Sequence, residues 1–379
     1  MAFFQTKAVL FNWFFITLRI MLRLQELELV QFRNYQQQKW VFNERIIGIC
    51  GMNGAGKTNL LDAIYYLGFS RSYFSRTDAQ NIQHGAIGMR LSGNYILKNE
   101  PTNITCIIRE NNRKELLVNE EMYKKMSEHI GKYPCVMIAP DDVDLITGSG
   151  EARRKMIDNI LSQTDRNYLN QLITYTRVLQ QRNSFLKQAE DKGVDQTLLQ
   201  ILNDQLIKAG EIIYSIRVNF LAQFIPAVIN RYTEIAGKSD GINMQYESQL
   251  HETSFSKLLA TSFSKDLILQ RTTKGIHKDD ISLQIDQYLF KTEASQGQRK
   301  SLLFALKLAE WEYIKEKIGF APILLLDDVF EKLDENRMFQ LLNRVCSNSY
   351  GQVFISDTHA DRLKQKLKQT GIAFQLIEL

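Results

Sequence analysis

The sequence predicts an α/β protein interrupted by a helical insertion, and three stretches carry that prediction. A β-branched run at residues 46–49 leads into a glycine-rich loop and then an apolar-periodic helix. A second, fully apolar run at residues 323–326 ends in two acids. Between them, residues 151–236 hold helical periodicity in two long runs separated by the polar turn "AEDKGVD" at 189–195. Strands buried on both faces read as continuous apolar runs, so the two apolar stretches are expected as neighbours in one central parallel sheet. Strand-like runs at 87–120, such as "YILK" and "TNITCII", add a β-rich flap to the same lobe.

Composition fits this reading. A chain of 379 residues that is 44% hydrophobic can bury a large core and form two or three compact units. Its 47 Lys and Arg against 42 acids leave a net charge of +5, which permits a polyanionic partner without demanding one. Cys50, Cys106, Cys135 and Cys346 lie far apart with no CxxC pair, which argues against a zinc cluster or disulfide framework and suits a reducing cytoplasm. Residues 1–20 are apolar but interrupted by Gln5, Lys7, Asn12, Thr17 and Arg19. They read as an upstream extension or a misassigned start before Met21, with a membrane or export role as the alternative.

The glycine-rich loop is Gly51-Met-Asn53-Gly54-Ala-Gly56-Lys57-Thr58, followed by Asn59 and a helix with Leu60, Leu61, Ile64 and Leu67 on its apolar side. This is GxxxxGK[ST] with a strand before it and a helix after it. Glycines let backbone N–H groups wrap phosphates, and Lys57 reaches the β and γ oxygens of a nucleotide. Thr58 offers a hydroxyl to Mg²⁺, and the helix start adds partial positive charge. Such a loop needs a second acid for the metal. Asp327 supplies it at the end of the 323–326 run, and Asp328 is placed to orient or deprotonate an attacking water. The structural alternative is a pair of acids that simply opens a turn.

"ASQGQRKSLLFALKLAEW", at 294–311, opens a helix in which Leu302, Leu303, Ala305, Leu306 and Ala309 face inward. Ser295 alone would be read as an N-cap. In the order P-loop, Ser295-Gln-Gly297-Gln298, acidic strand, Leu333-Asp334, the helix start reads as a second phosphate-binding surface.

That order resembles the ATP-binding-cassette ATPases, and within them the chain from Met21 onward is similar to the RecF family. The stretches that carry the resemblance are "FRNY" at 32–35, "GMNGAGKTNLLDAIYYL", "GFSRSYFSRTDAQNIQHG" at 68–85, "APDDVDLITGSGEARRKMID" at 139–158, "GIHKDD" at 275–280, "SQGQRK" and "LLLDDVFEKLD". The resemblance implies an α/β fold of the ABC-type P-loop ATPase head, a mixed sheet with flanking helices and a β-rich flap, carrying an inserted helical lobe. Residues 21–145 and 271–379 would form the ATPase lobe and 146–270 the inserted lobe.

The resemblance further implies two copies closing head to tail on two ATP molecules with Mg²⁺. Lys57 and Thr58 of one copy would face Ser295, Gly297 and Gln298 of the other, with Asp334 between the two nucleotides. Arg33, Asn34 and Tyr35 match the family's stretch near the base and ribose, and an ordinary surface turn is the other reading of them. His359 occupies the place of a γ-phosphate sensor, and equally that of a bystander on a helix capped by Asp357 or Thr358. The implied activity is a DNA-stimulated ATPase acting at junctions of single-stranded and double-stranded DNA, with RecR and, where present, RecO, to place RecA on gaps.

Arg153, Arg154 and Lys155 of "EARRKM", with Arg71 and Arg76, are candidate phosphate contacts; solvated helix faces are the other reading. Three departures from the family pattern matter. Ala294 and Gln296 replace the leucine and first glycine of the transporter-type signature. Ile276 and Lys278 stand where proline and arginine are usual, so no role is assigned to that loop. Asp328 replaces a glutamate, and its shorter reach predicts slow hydrolysis, below the enzyme median of about ten per second. A transporter nucleotide-binding subunit would keep LSGGQ and the glutamate and lack "FRNY". A purely structural chromosome clamp would carry a far longer coiled coil than 151–236 allows. No membrane association is expected.

Overall fold

The structure is a computed structural model that describes residues 22–328, 335–347 and 351–379, without the side chains of 190–192 and 335–338. The extension at 1–20, Met21, Leu333 and Asp334 lie outside the described residues. By compactness the chain divides into two units, residues 1–140 with 310–379, and residues 141–309.

The first unit begins with β1 (Leu22–Phe32) and β2 (Tyr35–Val41), then β3 (Ile46–Cys50) and α1 (Lys57–Phe69), then β4 (Met89–Leu97), β5 (Glu100–Ile108), β6 (Lys114–Val118), β7 (Glu121–Met122) and β8 (Cys135–Ile138). Strands β2-β1-β4-β5-β6-β7 form an antiparallel sheet, the expected flap extended by the "FRNY" hairpin. The apolar positions of β1 change phase, from Leu22 and Leu24 to Leu27 and Leu29. A bulge between Leu24 and Glu26 resets the register, so all four stay buried on one face.

The second unit contains α2 (Gly150–Thr164), α3 (Arg166–Lys192), α4 (Gln196–Ala236), β9 (Ile242–Glu247), α5 (Phe255–Ile268), β10 (Asp280–Ile285), β11 (Tyr288–Leu289) and the first part of α6 (Gln296–Ile318). Asp165 and Asp195 cap α3 and α4 by accepting the N–H of Tyr168 and Leu198, and Gly193 ends α3, which explains the turn at 189–195. The boundaries differ from those expected. Residues 271–309 belong with the helices because β10 pairs along its whole length with β9, from Asp280↔Glu247 to Ile285↔Ile242. The helix start at Ser295 therefore lies in the second unit.

The chain completes the first unit with β12 (Ile323–Leu326), α7 (Glu335–Val345), β13 (Val353–Asp357), α8 (Ala360–Gln369) and β14 (Phe374–Glu378). The parallel sheet runs β14-β3-β13-β12-β8. The P-loop strand β3 and the acidic strand β12 thus share a sheet as expected but are not neighbours, because β13 lies between them. Helix α1 packs against strands of both sheets of this unit and buries 11 of its 13 residues. Gln352, fully buried, joins the two sheets: its side-chain amide accepts the N–H of Leu24 at 2.7 Å and donates to the Leu24 carbonyl at 2.8 Å.

Candidate functional site

The loop after β3 turns through Gly54 (φ +85°) and Gly56 (φ +114°), values that side chains with a Cβ rarely adopt. At Gly56 space is closed as well, since a Cβ would stand 2.5 Å from the Tyr35 hydroxyl. That hydroxyl donates to the Gly56 carbonyl at 3.0 Å, and Asn34 donates to Ala55 O at 3.2 Å, so the "FRNY" turn is seated on the P-loop. Asn59 donates to Asn34 Oδ1 at 2.7 Å. Arg33 spreads its guanidinium over Asn59, Asp62, Ser72, Ser75 and Asn81, the shortest contact being 2.6 Å to Asp62. It ties α1 to the loop at 70–81. Burial raises the Asp62 carboxyl although Arg33 and Ser72 act against that. Asn53 and Gly54 are exposed at the loop tip.

Lys57 is buried and donates from Nζ to the carbonyls of Gly51 at 2.9 Å and Met52 at 3.2 Å. Thr58 Oγ1 donates to Asp327 Oδ2 at 2.8 Å, which brings together the two residues expected to hold a metal. Asp327 is 2% exposed, and its other oxygen accepts from Ser356 Oγ at 2.8 Å. Burial pushes its carboxyl above the usual range, the two hydroxyls and Lys57 pulling the other way. Hydroxyl and carboxylate oxygens are the hard donors that Mg²⁺ takes, usually from one or two protein groups plus phosphates and water, and this pair fits that chemistry.

Ser356 is the site residue that the sequence reading missed. Standing on β13 between the two motif strands, it holds Asp327 and also accepts the N–H of Asp328 at 2.9 Å. Asp328 has φ +43°, a left-handed conformation that costs about 1 kcal/mol or more outside glycine and that aspartate tolerates better than most. A lone serine in an apolar strand carries no signal by itself; the order of strands gives it its place.

His359 is exposed at the start of α8. Its N–H donates to Asp357 Oδ1 at 2.8 Å, and Arg362 pairs with the same carboxylate; His359 is itself the N-cap residue, no side-chain bond caps α8 among the described residues, and the imidazole stays accessible. In the second unit, Ser295 and Gln298 form a reciprocal capping box: Ser295 N–H donates to Gln298 Oε1 at 2.9 Å, and Gln298 N–H to Ser295 Oγ at 3.2 Å. Gln298 also bonds Asp240. Gly297 follows on the first turn of α6, partly exposed.

One candidate phosphate contact is withdrawn. Arg153 is 8% exposed and forms a fork with Asp280 at 2.7 and 2.9 Å, its remaining donor going to the Leu145 and Gly148 carbonyls. It is a structural ion pair, not a surface cation.

Comparisons with known proteins place this geometry in a family. The profile described as "RecF/RecN/SMC N terminal domain" matches residues 23–376. The "DNA replication and repair protein RecF" of Flavobacterium johnsoniae is 40% identical over 359 residues, 94% of this chain and 100% of the relative. That of Parabacteroides distasonis is 40% identical, over 91% of this chain and 93% of the relative. Among solved structures, that of the recombination mediator protein RecF-ATPrS in the RecFOR pathway superposes with a TM-score of 0.83 at 30% identity, covering 90% of this chain and 94% of the other. The Smc head of Pyrococcus furiosus, at TM-score 0.53 and 17% identity over 92% of each chain, shares the fold alone. The chain belongs to the RecF family of DNA replication and repair proteins.

Proposed function

We propose that this protein is an ATP-dependent DNA clamp of recombinational repair and replication-gap processing. The observation that carries the reading is the Thr58–Asp327–Ser356 chain of hydrogen bonds beside the P-loop, in a chain similar to a RecF described with ATP. Lys57 exchanges its neutral carbonyl acceptors for phosphate oxygens, a gain because the acceptor then carries negative charge as well as the donor positive charge. Thr58 and Asp327 would hold Mg²⁺, which would supply positive charge against that of the phosphates. Asp328 orients the attacking water, its backbone fixed by Ser356. With an aspartate here, hydrolysis is slow and serves as a timer.

In this proposal ATP closes a homodimer. Ser295, Gly297 and Gln298 of one copy cover the γ-phosphate held at Gly51, Asn53, Gly54, Gly56 and Lys57 of the other. Asp334 and His359 complete the interface, and hydrolysis releases the DNA. The closed dimer sits at junctions of single-stranded and double-stranded DNA in the cytoplasm and acts with RecR, RecO and RecA. All four cysteines are buried and free, which suits a reducing compartment.

The test is the affinity for a gapped duplex with and without ATP, across a salt series, for the parent and Ser295→Arg. ATP should tighten binding in the parent at least tenfold and leave the variant unchanged, while both bind nucleotide alike. DNA binding that ignores ATP, or a variant that behaves like the parent, would reduce Ser295 to a helix cap.

A further inference from the structure

The Gly275–Asp280 turn, to which the sequence reading assigned no role, is bonded inward at almost every position. Ahead of it, Thr272 is held by Asn183 and Arg182, and Thr273 by Asp266. Gly275 has φ +124°, and a Cβ there would lie 2.6 Å from the Phe255 ring. The Ile276 carbonyl accepts from Arg217 at 2.9 Å. His277 sits between the Tyr175 hydroxyl at 2.8 Å and the Thr272 carbonyl at 3.1 Å. Asp279 accepts from Tyr246 at 2.5 Å and from Arg217 at 3.2 Å, and Asp280 takes the Arg153 fork.

One side chain of the turn goes outward. Lys278 is exposed and, among the described residues, has no carboxylate within ion-pair distance. Beside it Arg154, partly exposed, donates a single N–H to the Asp279 carbonyl at 2.5 Å and likewise has no carboxylate partner within that distance. Both cations lie close to one imidazole: burial first, and then the charges of Lys278 and Arg154, hold His277 down at about 4. Of the neighbouring acids, Asp279 is buried, and Asp280, partly exposed, is engaged in the fork with Arg153 while its charge also acts on Arg154. What faces solvent is an ammonium and a guanidinium on a backbone that has little freedom left to lose on binding.

We infer that Lys278 and Arg154 form a two-point contact for the phosphodiester backbone of DNA. Guanidinium and ammonium together match phosphate oxygens and read no sequence, as a clamp requires. The inference rests on the DNA-binding reading above and names where in the second unit that binding occurs. It also replaces Arg153, which the fold consumes internally.

The experiment uses the full chain and a blunt 30-base-pair duplex of arbitrary sequence, a length chosen as about three helical turns. Binding is measured from about 50 to 200 mM salt for the parent, Lys278→Gln, and the Arg154→Gln/Lys278→Gln double variant. Lys278→Gln removes no hydrogen bond of the fold, so it is the clean variant, and thermal midpoints check the double. The slope of log affinity against log salt should become shallower by about 0.9 for the single variant and about 1.8 for the double. ATP affinity should stay within about twofold, below the roughly fivefold lower end of a typical coupling. A parent without salt-dependent duplex binding would defeat the DNA reading itself. A parent that binds while Lys278→Gln keeps the full slope would overturn this contact alone. Loss of ATP affinity in Lys278→Gln would also overturn it, by assigning the cation to a nucleotide.

Discussion

Asp327 in the first unit and Asp279 in the second are buried to the same degree, 2% and 3% exposed, and burial raises both carboxyls. Their partners differ. Asp279 faces a guanidinium and a phenol, and the same Arg217 reaches Asp158 at 2.8 Å and Tyr168 at 3.0 Å, so one cation fastens α2, α3, α4 and the turn before β10. Asp327 is held by two hydroxyls. The first arrangement cancels its charge within the protein, and what it yields is rigidity. The second keeps an acid oriented outside any ion pair, Lys57 acting on it only through its charge, which is what the proposed Mg²⁺ role requires. Burial alone does not distinguish a structural carboxylate from a functional one; the charge of its partners does.

The comparison is broken or kept most clearly by a pair of substitutions. Arg217→Met should strand Asp158 and Asp279 and destabilise the protein by about 3–5 kcal/mol in denaturant titration. Asp327→Asn should leave the unfolding midpoint level or raise it, because a buried charge outside any ion pair is removed, while ATP turnover falls about 100-fold or more. If Asp327→Asn destabilised the fold as much as Arg217→Met, the distinction would be wrong.

Acid sharpens it next. His129 and His277, one in each unit, are held at about 4 by burial. An unfolded histidine takes up a proton near pH 6.5 and the folded one does not until about 4, so stability is full above that window and is lost as pH falls through it. Each residue accounts for about 3 kcal/mol at the acid end. His277→Gln should flatten the slope of unfolding free energy between those pH values by that share, measured against the parent. An unchanged slope would mean that His277 is already charged in the folded second unit.

The smallest effect concerns Ser356. Ser356→Ala frees one Asp327 oxygen and the Asp328 N–H, and should cost about 1 kcal/mol in stability while lowering turnover about tenfold. Ser356→Thr, which keeps the hydroxyl, should recover most of the turnover. Equal loss in both variants would point to packing rather than to the hydroxyl.

The local part of the site was legible in the sequence. The P-loop, the helix after it, the acidic strand and the cap at Ser295 announce themselves within a few neighbouring residues. What was not legible depends on distant pairing. Ser356 matters only because β13 is inserted between β3 and β12. Arg153 looked like a surface cation because its partner, Asp280, lies 127 residues away. The boundary near 270 was misplaced for the same reason, since residues 280–285 look like a return to the first unit until β9 is known to pair with them.

The strand that carries the P-loop has a further consequence, for synthesis. Its two neighbours, β13 and β14, are supplied by residues 353–357 and 374–378, and the Gln352 link to Leu24 spans 328 residues. At about 5–20 residues per second on the ribosome, β3 waits on the order of tens of seconds with both edges unpaired. The helical unit draws its pairing from residues 141–309 and emerges whole well before that. A nascent chain therefore exposes a long-lived open strand edge, a natural target for chaperones. A chain stalled before residue 353 leaves the ribosome without either strand that pairs with β3, and so without the frame of the loop that follows it.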